Sequence, residues 1–329
     1  MASVPYEKGD GVIYLNIGTR HLVHLAVSLY ALRKIYDGPV AILSGDECVR
    51  EYIAGEKRLG DHVVIEFDYA SQRTNCYHAK TTMHHRTPFE RTVFLDADTL
   101  PVADFSDLWP AQDEFVHVTQ FANWTTLRPG RRGDKPPKIA GRILNNAWPE
   151  LFPAQVEYQV ANEYPAINTG VLGFSKTSQR FMDKWHEMTT KQWQLSQERR
   201  EVSSFITDEL ACQLLIFEYP NWIFTYEWNA SPVYCWEKMP CEDVRIWHGH
   251  GAKFFKLRGE TECGLRRQNS LWLPFFFEAM RDNWCNLPKW HDSKNHGGAK
   301  RPSKYVTDLM PKYEHWLRTG EIPLRVNDA

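Results

Sequence analysis

Short runs of β-branched and other apolar residues alternate with longer segments of helical spacing through the first hundred residues of the chain. The strand-like runs are residues 12–16, 40–43, 63–67 and 92–95, and the helical segments are about 21–36, 47–58 and 75–85. This alternation is typical of parallel strands joined by crossover helices. It predicts an α/β fold with a Rossmann-like, doubly wound mixed sheet, mostly parallel, whose ligands bind beyond the carboxyl ends of the strands.

The pattern changes after residue 110. Further strands are predicted at 115–120, 167–174 and 244–248, and further helices at about 178–194 and 208–217. Residues 128–138 form a segment rich in Pro, Gly and basic side chains, which we interpret as a flap that closes on an anionic ligand. Residues 271–329 combine one helical segment with a Lys- and His-rich coil.

Composition and charge exclude several classes of protein. The 39 basic and 41 acidic side chains leave a net charge of −2, which argues against a nucleic-acid-binding surface. Residues 1–10 carry charges before any apolar run, and no later run reaches the roughly 18 apolar residues of a membrane helix. The seven cysteines include no Cys-x-x-Cys pair and favour a reducing compartment. We expect a cytoplasmic protein without a cleaved signal, and the Asn-x-Ser/Thr triplets at Asn123 and Asn229 do not change this.

Two aspartates follow the fourth strand-like run, in the motif FLDAD at residues 94–98. Because the chain turns at the end of a strand, the carboxylates of Asp96 and Asp98 can point into one crevice. Two close carboxylates raise each other's pKa unless a cation is present. A hard divalent ion such as Mg²⁺ or Mn²⁺ would neutralise the pair and bridge to diphosphate oxygens. The Asp-x-Asp motif also occurs in ordinary acidic turns, but its position after an apolar strand favours a metal site.

The predicted strand at 244–248 leads into the motif WHGHGAK at residues 247–253. A histidine can ligate a metal, glycines let backbone N–H groups approach a phosphate, and a lysine supplies a positive charge. Taken alone, His248 would be interpreted as a core histidine. Together with Asp96 and Asp98 it completes a predicted metal and diphosphate site.

Taken in order, these motifs resemble those of the family 8 glycosyltransferases, which have the GT-A fold and include glycogenin and bacterial lipopolysaccharide galactosyltransferases. The resemblance extends from about residue 12 to residue 253. FLDADTL at 94–100 is similar to the family's metal-binding strand end, and INTGV at 167–171 to its Asn-Ser-Gly strand beside the sugar. The pair Asp208-Glu209 resembles an Asp-Gln pair of the family, and residues 248–253 resemble its closing His-Gly-Lys signature.

The resemblance implies a role for each matching residue. The metal ligands would be Asp96, Asp98 and His248, with His250 as the alternative histidine. Asp208 and Asn168 would be the catalytic residues beside the sugar. The residues that would contact the donor nucleotide are Asn16, Thr19, Lys80, Ala97, Gly251 and Lys253, with Lys256 as the alternative to Lys253. The sequence departs from the family at three points: Thr19 stands where an aromatic residue is usual, the glycine run before the Asp-Gln pair is missing, and the closing lysine lies one residue nearer the histidine.

The resemblance also implies an activity and a division of the chain. It implies a metal-dependent hexosyltransferase that uses Mn²⁺ or Mg²⁺, takes the sugar from a nucleotide-sugar donor, with a UDP-sugar expected, and retains the anomeric configuration. The acceptor stays open among a glycan, a lipid carrier, a protein and a small molecule. A GT-A catalytic domain would occupy residues 1–257, with a nucleotide-binding half at 1–110 and a sugar and acceptor half at 111–257. A C-terminal extension of helix and coil would occupy 258–329.

Two other functions compete with this interpretation. Gly18-Thr19-Arg20 resembles a fragment of the phosphate loop of sugar-phosphate nucleotidyltransferases, but it lacks the preceding glycines. The His-Gly-Lys motif would have no role in that class. A non-catalytic nucleotide-sugar-binding protein could have the same fold, but the two carboxylates and the histidine favour an enzyme.

Overall fold

The structure is a computed structural model and describes residues 9–17, 21–45, 47–60, 62–66, 76–111, 115–120, 167–198, 207–216, 218–230, 243–249, 262–285 and 304–322. The strands are β1 (Asp10–Leu15), β2 (Val40–Ser44), β3 (His62–Glu66), β4 (Arg91–Asp96), β5 (Thr99–Pro101), β6 (Val116–Gln120), β7 (Ile167–Ser175), β8 (Asn221–Phe224) and β9 (Ile246–His248). The α-helices are α1 (Leu22–Leu32), α2 (Glu47–Gly55), α3 (Cys76–Thr81), α4 (Gln179–Glu198), α5 (Thr207–Leu215), α6 (Glu262–Arg281) and α7 (Lys304–Thr319).

Seven strands form a mixed, mostly parallel sheet in the order β3-β2-β1-β4-β7-β6-β8. The pairs β3–β2, β2–β1, β1–β4 and β6–β8 are parallel, whereas β7 runs antiparallel to both β4 and β6. The predicted doubly wound, mostly parallel sheet is therefore confirmed. The late strand β9 pairs antiparallel with β5 in a separate two-stranded sheet.

Three helical segments are shorter than the sequence pattern predicts, and the first of them, at about 21–36, ends at Leu32. The segment 47–58 is helical only to Gly55 and resumes as a 3₁₀ turn at Lys57–Leu59. The break falls at Glu56, whose carboxylate accepts a hydrogen bond from the backbone N–H of Arg58 at 3.1 Å. Such a local side-chain bond offers the backbone an alternative to the helical hydrogen bond. The segment 75–85 divides in the same way into α3 and a 3₁₀ turn at Met83–His85.

The core lies on both faces of the central sheet. All residues of β2 and β7 are buried, as is every residue of α1, which packs beneath β5 and α6. Trp185 of α4 is fully buried on the opposite face, and its indole Nε1 donates a hydrogen bond to the backbone oxygen of Asp208 at 2.8 Å. Because a buried indole N–H needs a partner, this bond fixes the start of α5 against α4.

The described part of the C-terminal region contains two helices rather than the single helical segment predicted within 271–329, and α6 contacts the first half of the chain. The indole of Trp272 in α6 lies 5.8 Å from the ring of His24 in α1, and the hydroxyl of Tyr30 donates to Glu278 and Asp282. Helix α7 packs on α6 through the ring of Phe277, which contacts Tyr313 and Trp316. None of the helices that the structure describes combines the length and the apolar character that a bilayer crossing needs.

Candidate active site

Two aspartates lie where β4 ends and the chain turns into β5. Asp96 is the last residue of β4 and pairs with Leu15 at the end of β1, so it lies at the carboxyl edge of the parallel strands. Asp98 lies in the following turn, and its backbone oxygen accepts a hydrogen bond from Gly249 at 2.9 Å. Thr99, the first residue of β5, pairs with His248 in β9. The short β5–β9 sheet therefore brings His248 to the Asp-x-Asp turn.

The three predicted metal ligands converge. Nε2 of His248 lies 3.3 Å from Oδ1 of Asp98 and 3.8 Å from Oδ2 of Asp96. All three ligand atoms lie within 4.8 Å of one another. The side chains of Asp96 and Asp98 are partly exposed, whereas His248 is buried. The group therefore presents two carboxylates and one imidazole at a partly open position, which is a donor set that can hold a divalent cation.

Asn229 fixes which nitrogen of His248 faces the aspartates. Its Nδ2 donates to Oγ1 of Thr119 at 2.7 Å and to Oδ1 of Asn168 at 2.9 Å. Both partners are acceptors here, because Thr119 donates its hydroxyl proton to backbone carbonyls and Oδ1 of Asn168 accepts from the N–H of Gly170. Oδ1 of Asn229 must then face Nδ1 of His248, at 2.9 Å, and accept its proton. Nε2 is therefore the nitrogen that faces Asp96 and Asp98, and in metal-binding histidines the nitrogen opposite such a bond is the one that ligates the ion.

Gly170 of β7 makes room for the imidazole ring. A Cβ atom at this position would overlap Cε1 of His248 and would lie 2.6 Å from Nδ1 and 2.8 Å from Oδ1 of Asn168. The ring therefore packs directly on the backbone of β7, and only glycine permits this approach.

Lys80 lies behind the aspartates. Its ammonium Nζ donates to Oδ2 of Asp96 at 3.0 Å, lies 3.3 Å from Oδ2 of Asp208, and contacts the backbone oxygen and the hydroxyl of Thr169 at 3.4 Å. Burial alone would lower the pKa of Lys80, but the charges of Asp96 and Asp208 outweigh burial and raise it above its usual value. The ammonium is therefore a permanent positive charge in the interior of the site.

Burial and neighbouring charges shift the pKa values of Asp96 and His248. Burial raises the pKa of Asp96, although Lys80 and His248 act in the opposite direction. Burial would lower the pKa of His248, but Asp98 and Asp96 raise it above its usual value. Lys80 lies between Asp96 and Asp208, and Asp98 adds a further carboxylate beside His248, so the site favours a further positive charge.

Asp208 and Glu209 lie in the first turn of α5, below Lys80. Oδ2 of Asp208 accepts a hydrogen bond from the hydroxyl of Thr169 at 2.6 Å, while Oδ1 has no hydrogen-bond partner among the described residues. Oε1 of Glu209 accepts from Nδ2 of Asn168 at 2.8 Å. Burial, together with the charge of Asp208, raises the pKa of Glu209 well above its usual value.

Comparison with known proteins identifies the architecture. No protein-family model matches the chain, and no curated protein sequence matches it. Solved structures do match: galactosyltransferase LgtC in complex with donor and acceptor sugar analogs has a TM-score of 0.51 and 13% sequence identity, over 80% of this chain and 95% of that chain. An active-site mutant of LgtC has a TM-score of 0.51 and 12% identity, over 79% of this chain and 94% of that chain. The chain has a GT-A fold. The resemblance to the family 8 glycosyltransferases is thereby confirmed at the level of the fold.

Within the GT-A fold, Asn16 and Ala97 lie at the same edge of the sheet as the candidate ligands. Asn16 is buried directly after β1, and its backbone N–H donates to the carbonyl of Leu43 at 3.0 Å. Ala97 is buried between the two aspartates. The other residues assigned by resemblance lie outside the described residues: Thr19, His250, Gly251, Lys253 and Lys256. The proposed flap at 128–138 and the fragment at 18–20 also lie outside them.

Two residues of the candidate site were not predicted from the sequence. Asn229 appeared only as part of an Asn-x-Ser triplet, and Thr169 only as a letter of a strand motif. Both act through hydrogen bonds that bridge distant parts of the chain: Asn229 to Asn168 and His248, and Thr169 to Asp208. The spacing of residues in the sequence contains no signal for such bonds.

Proposed function

We propose that this protein is a metal-dependent glycosyltransferase that moves a sugar, with retention of its anomeric configuration, from a nucleotide-sugar donor to an acceptor. A UDP-hexose is the donor we expect. The observation that carries the proposal is the convergence of Asp96, Asp98 and His248 at the carboxyl edge of a GT-A sheet, within 4.8 Å of one another. Ligands bind at this edge in open α/β sheets.

The donor set fits a hard divalent ion. Carboxylate oxygens suit Mg²⁺ and Mn²⁺, and an imidazole nitrogen is a better ligand for Mn²⁺ than for Mg²⁺. Asn229 keeps Nε2 of His248 directed at the two carboxylates. We therefore assign Asp96, Asp98 and His248 as the ligands of Mn²⁺ or Mg²⁺, which when bound supplies Lewis-acid stabilisation to the leaving nucleoside diphosphate.

Lys80 supplies the fixed positive charge of the site. Breaking the anomeric bond leaves negative charge on the departing diphosphate, and a preorganised cation stabilises that charge more strongly than water does. Lys80 is held by Asp96 and Asp208 from two sides, so it needs no rearrangement to act. Asn16 and Ala97 are proposed to contact the nucleotide from the same edge, together with Thr19, Gly251 and Lys253.

Asp208 is proposed to hold Lys80 in place and to present its second oxygen toward the sugar. Its Oδ2 is already engaged by Thr169 and Lys80, while Oδ1 has no hydrogen-bond partner among the described residues. This arrangement favours a charge-stabilising role over that of a covalent nucleophile. Asn168 is proposed to act as a positioning residue, because its amide bonds Gly170, Asn229 and Glu209.

The test is the effect of Mn²⁺ on the binding of UDP, measured by titration calorimetry. We expect Mn²⁺ to strengthen the binding of UDP to the wild-type protein and not to the Asp98→Asn variant. The matched control is Asp107→Asn, which removes an exposed carboxylate elsewhere and should behave as the wild type does. UDP affinity that is the same with and without Mn²⁺ in the wild-type protein would overturn the proposal.

A further inference from the structure

A second cluster of metal-ligating side chains lies where the 3₁₀ turn after α3 meets α4. It is separate from the group around Asp96 and has no part in the proposed transfer reaction. His84 and His85 come from the 3₁₀ turn Met83–His85, and Asp183 comes from the first half of α4. Ligand atoms of the three side chains lie within 4.8 Å of one another.

The geometry of the cluster centres on one carboxylate oxygen. Oδ1 of Asp183 lies 2.8 Å from Nε2 of His85 and 3.5 Å from Nε2 of His84. The two imidazole rings lie with their centroids 3.6 Å apart. His85 and Asp183 are about half exposed, whereas the side chain of His84 is 4% exposed. An ion could therefore enter from solvent and reach the buried imidazole.

The buried ring of His84 also indicates that a ligand binds here. Neither of its nitrogens forms a hydrogen bond with any part of the chain that the structure describes. A buried polar group without a hydrogen bond is costly, and such groups in folded proteins are usually explained by an ion, a water molecule or a functional role. A metal bound to Nε2 would satisfy this ring and would replace its long approach to Asp183.

We propose that His84, His85 and Asp183 bind a divalent transition-metal ion, with zinc preferred. Two imidazoles and one carboxylate are a typical three-residue protein set for zinc, which leaves a fourth position open. Calcium and magnesium take oxygen ligands instead. His186 lies one helical turn after Asp183, but its Nδ1 is hydrogen-bonded to Oγ1 of Thr81 at 2.9 Å, so a water molecule is the fourth ligand we expect.

The proposed ion would stabilise the packing of the turn that follows α3 against α4. Helix α3 contains Lys80, whose ammonium contacts Asp96 and Asp208. An ion that binds only the folded protein stabilises it by mass action. We therefore expect zinc at this site to raise the thermal stability of the protein.

The test compares two variants in an Asp98→Asn background, in which the site around Asp96 has lost one ligand. The first carries His85→Ala and Asp183→Asn, both at half-exposed positions. The matched control carries Glu187→Gln, which removes another carboxylate of α4, one turn after Asp183 and paired with Lys184 and Lys191. Bound Zn²⁺ is measured per chain after equilibrium dialysis, and thermal unfolding is followed with and without Zn²⁺. Circular dichroism checks that each variant is folded, and His85→Ala alone replaces the first variant if it is not.

We expect the control to bind one Zn²⁺ more per chain than the His85→Ala, Asp183→Asn variant, and to gain more thermal stability from Zn²⁺. Zn²⁺ that binds the remaining ligands Asp96 and His248 is common to both variants and does not affect the difference. Equal Zn²⁺ content and an equal rise of the unfolding temperature in the two variants would overturn the proposal and leave an ordinary histidine–aspartate ion pair. The binding of UDP with Mn²⁺ to a protein that keeps Asp98 is read separately, so this proposal and the proposed transferase function fail independently.

Discussion

The imidazole of His248 packs directly on the backbone of Gly170, at a distance that no side chain at position 170 would permit. A Cβ atom there would overlap Cε1 of His248 and lie 2.6 Å from its Nδ1. The backbone of β7 therefore fixes the position of His248, the candidate metal ligand.

Gly170→Ala is expected to displace the ring of His248 and to weaken metal binding. Changes to groups that orient a metal ligand typically lower metal affinity by about 10- to 100-fold, and overpacking a buried position costs about 1–3 kcal/mol of stability. Mn²⁺ affinity is measured by calorimetry. Gly55→Ala is the matched control, because a Cβ atom there meets nothing within 4 Å. Full Mn²⁺ affinity in a folded Gly170→Ala protein would show that His248 is not a ligand.

Asn229→Ala tests how the imidazole is oriented. The change removes the amide oxygen that accepts the hydrogen bond from Nδ1 of His248, so the loss of Mn²⁺ affinity should again be about 10- to 100-fold. Asn221→Ala is the control: Asn221 also bonds through its amide, but to the carbonyls of Ile216 and Tyr219. If both variants bind Mn²⁺ as the wild type does, the assigned role of Asn229 is wrong.

Lys80→Met is expected to destabilise the protein strongly in metal-free buffer. The side chains of Lys80 and Asp208 are 9% and 2% exposed, and removing one partner of a buried ion pair leaves an uncompensated charge at a cost of about 3–5 kcal/mol. Lys34→Met removes a cation paired with Glu278 at a partly exposed position, where the cost is about 0–1 kcal/mol. Urea unfolding measures both. Similar small losses for the two variants would mean that Lys80 is not needed to neutralise Asp96 and Asp208.

Glu209→Gln should stabilise the protein, and more so as the pH rises. Burial raises the pKa of Glu209 in the folded protein above its unfolded value of 4.5. A carboxyl group of this kind favours the folded state below pH 4.5 and progressively opposes folding as the pH rises toward its folded pKa. Glutamine has no such dependence, so the gain in the free energy of unfolding should be small at pH 4.5 and larger at pH 7. A gain that does not change with pH would show that Glu209 titrates normally.

The strands and the edge at which the site lies could be predicted from local sequence. Apolar runs mark buried strands, so the run at 40–43 lies within β2, and residues that follow such runs meet at one edge of a parallel sheet. Asp96 and Asp98 lie at this edge for that reason, as does Asn16 after β1. The direction of β7 could not be predicted, because an apolar run does not indicate whether a buried strand is parallel or antiparallel to its neighbour.

The antiparallel direction of β7 determines which of its residues reach the candidate site. Because β7 runs antiparallel to β4, with Val171 opposite Leu95, its first residues lie beside the end of β4. Asn168 and Thr169 therefore face Lys80 and α5, and Asn229 can reach both Asn168 and His248. These contacts depend on tertiary packing and have no periodicity that a sequence pattern could reveal.

The most direct test of the proposed transferase activity is donor consumption. The protein is incubated with a panel of nucleotide sugars and Mn²⁺, and slow hydrolysis is scored by mass spectrometry. We predict that one UDP-hexose is consumed, that chelation of the metal abolishes the reaction, and that Asp98→Asn behaves as the chelated protein does. If no donor in the panel is consumed, or if consumption continues at the same rate in the chelated protein and in Asp98→Asn, the protein is not a metal-dependent glycosyltransferase of the proposed kind.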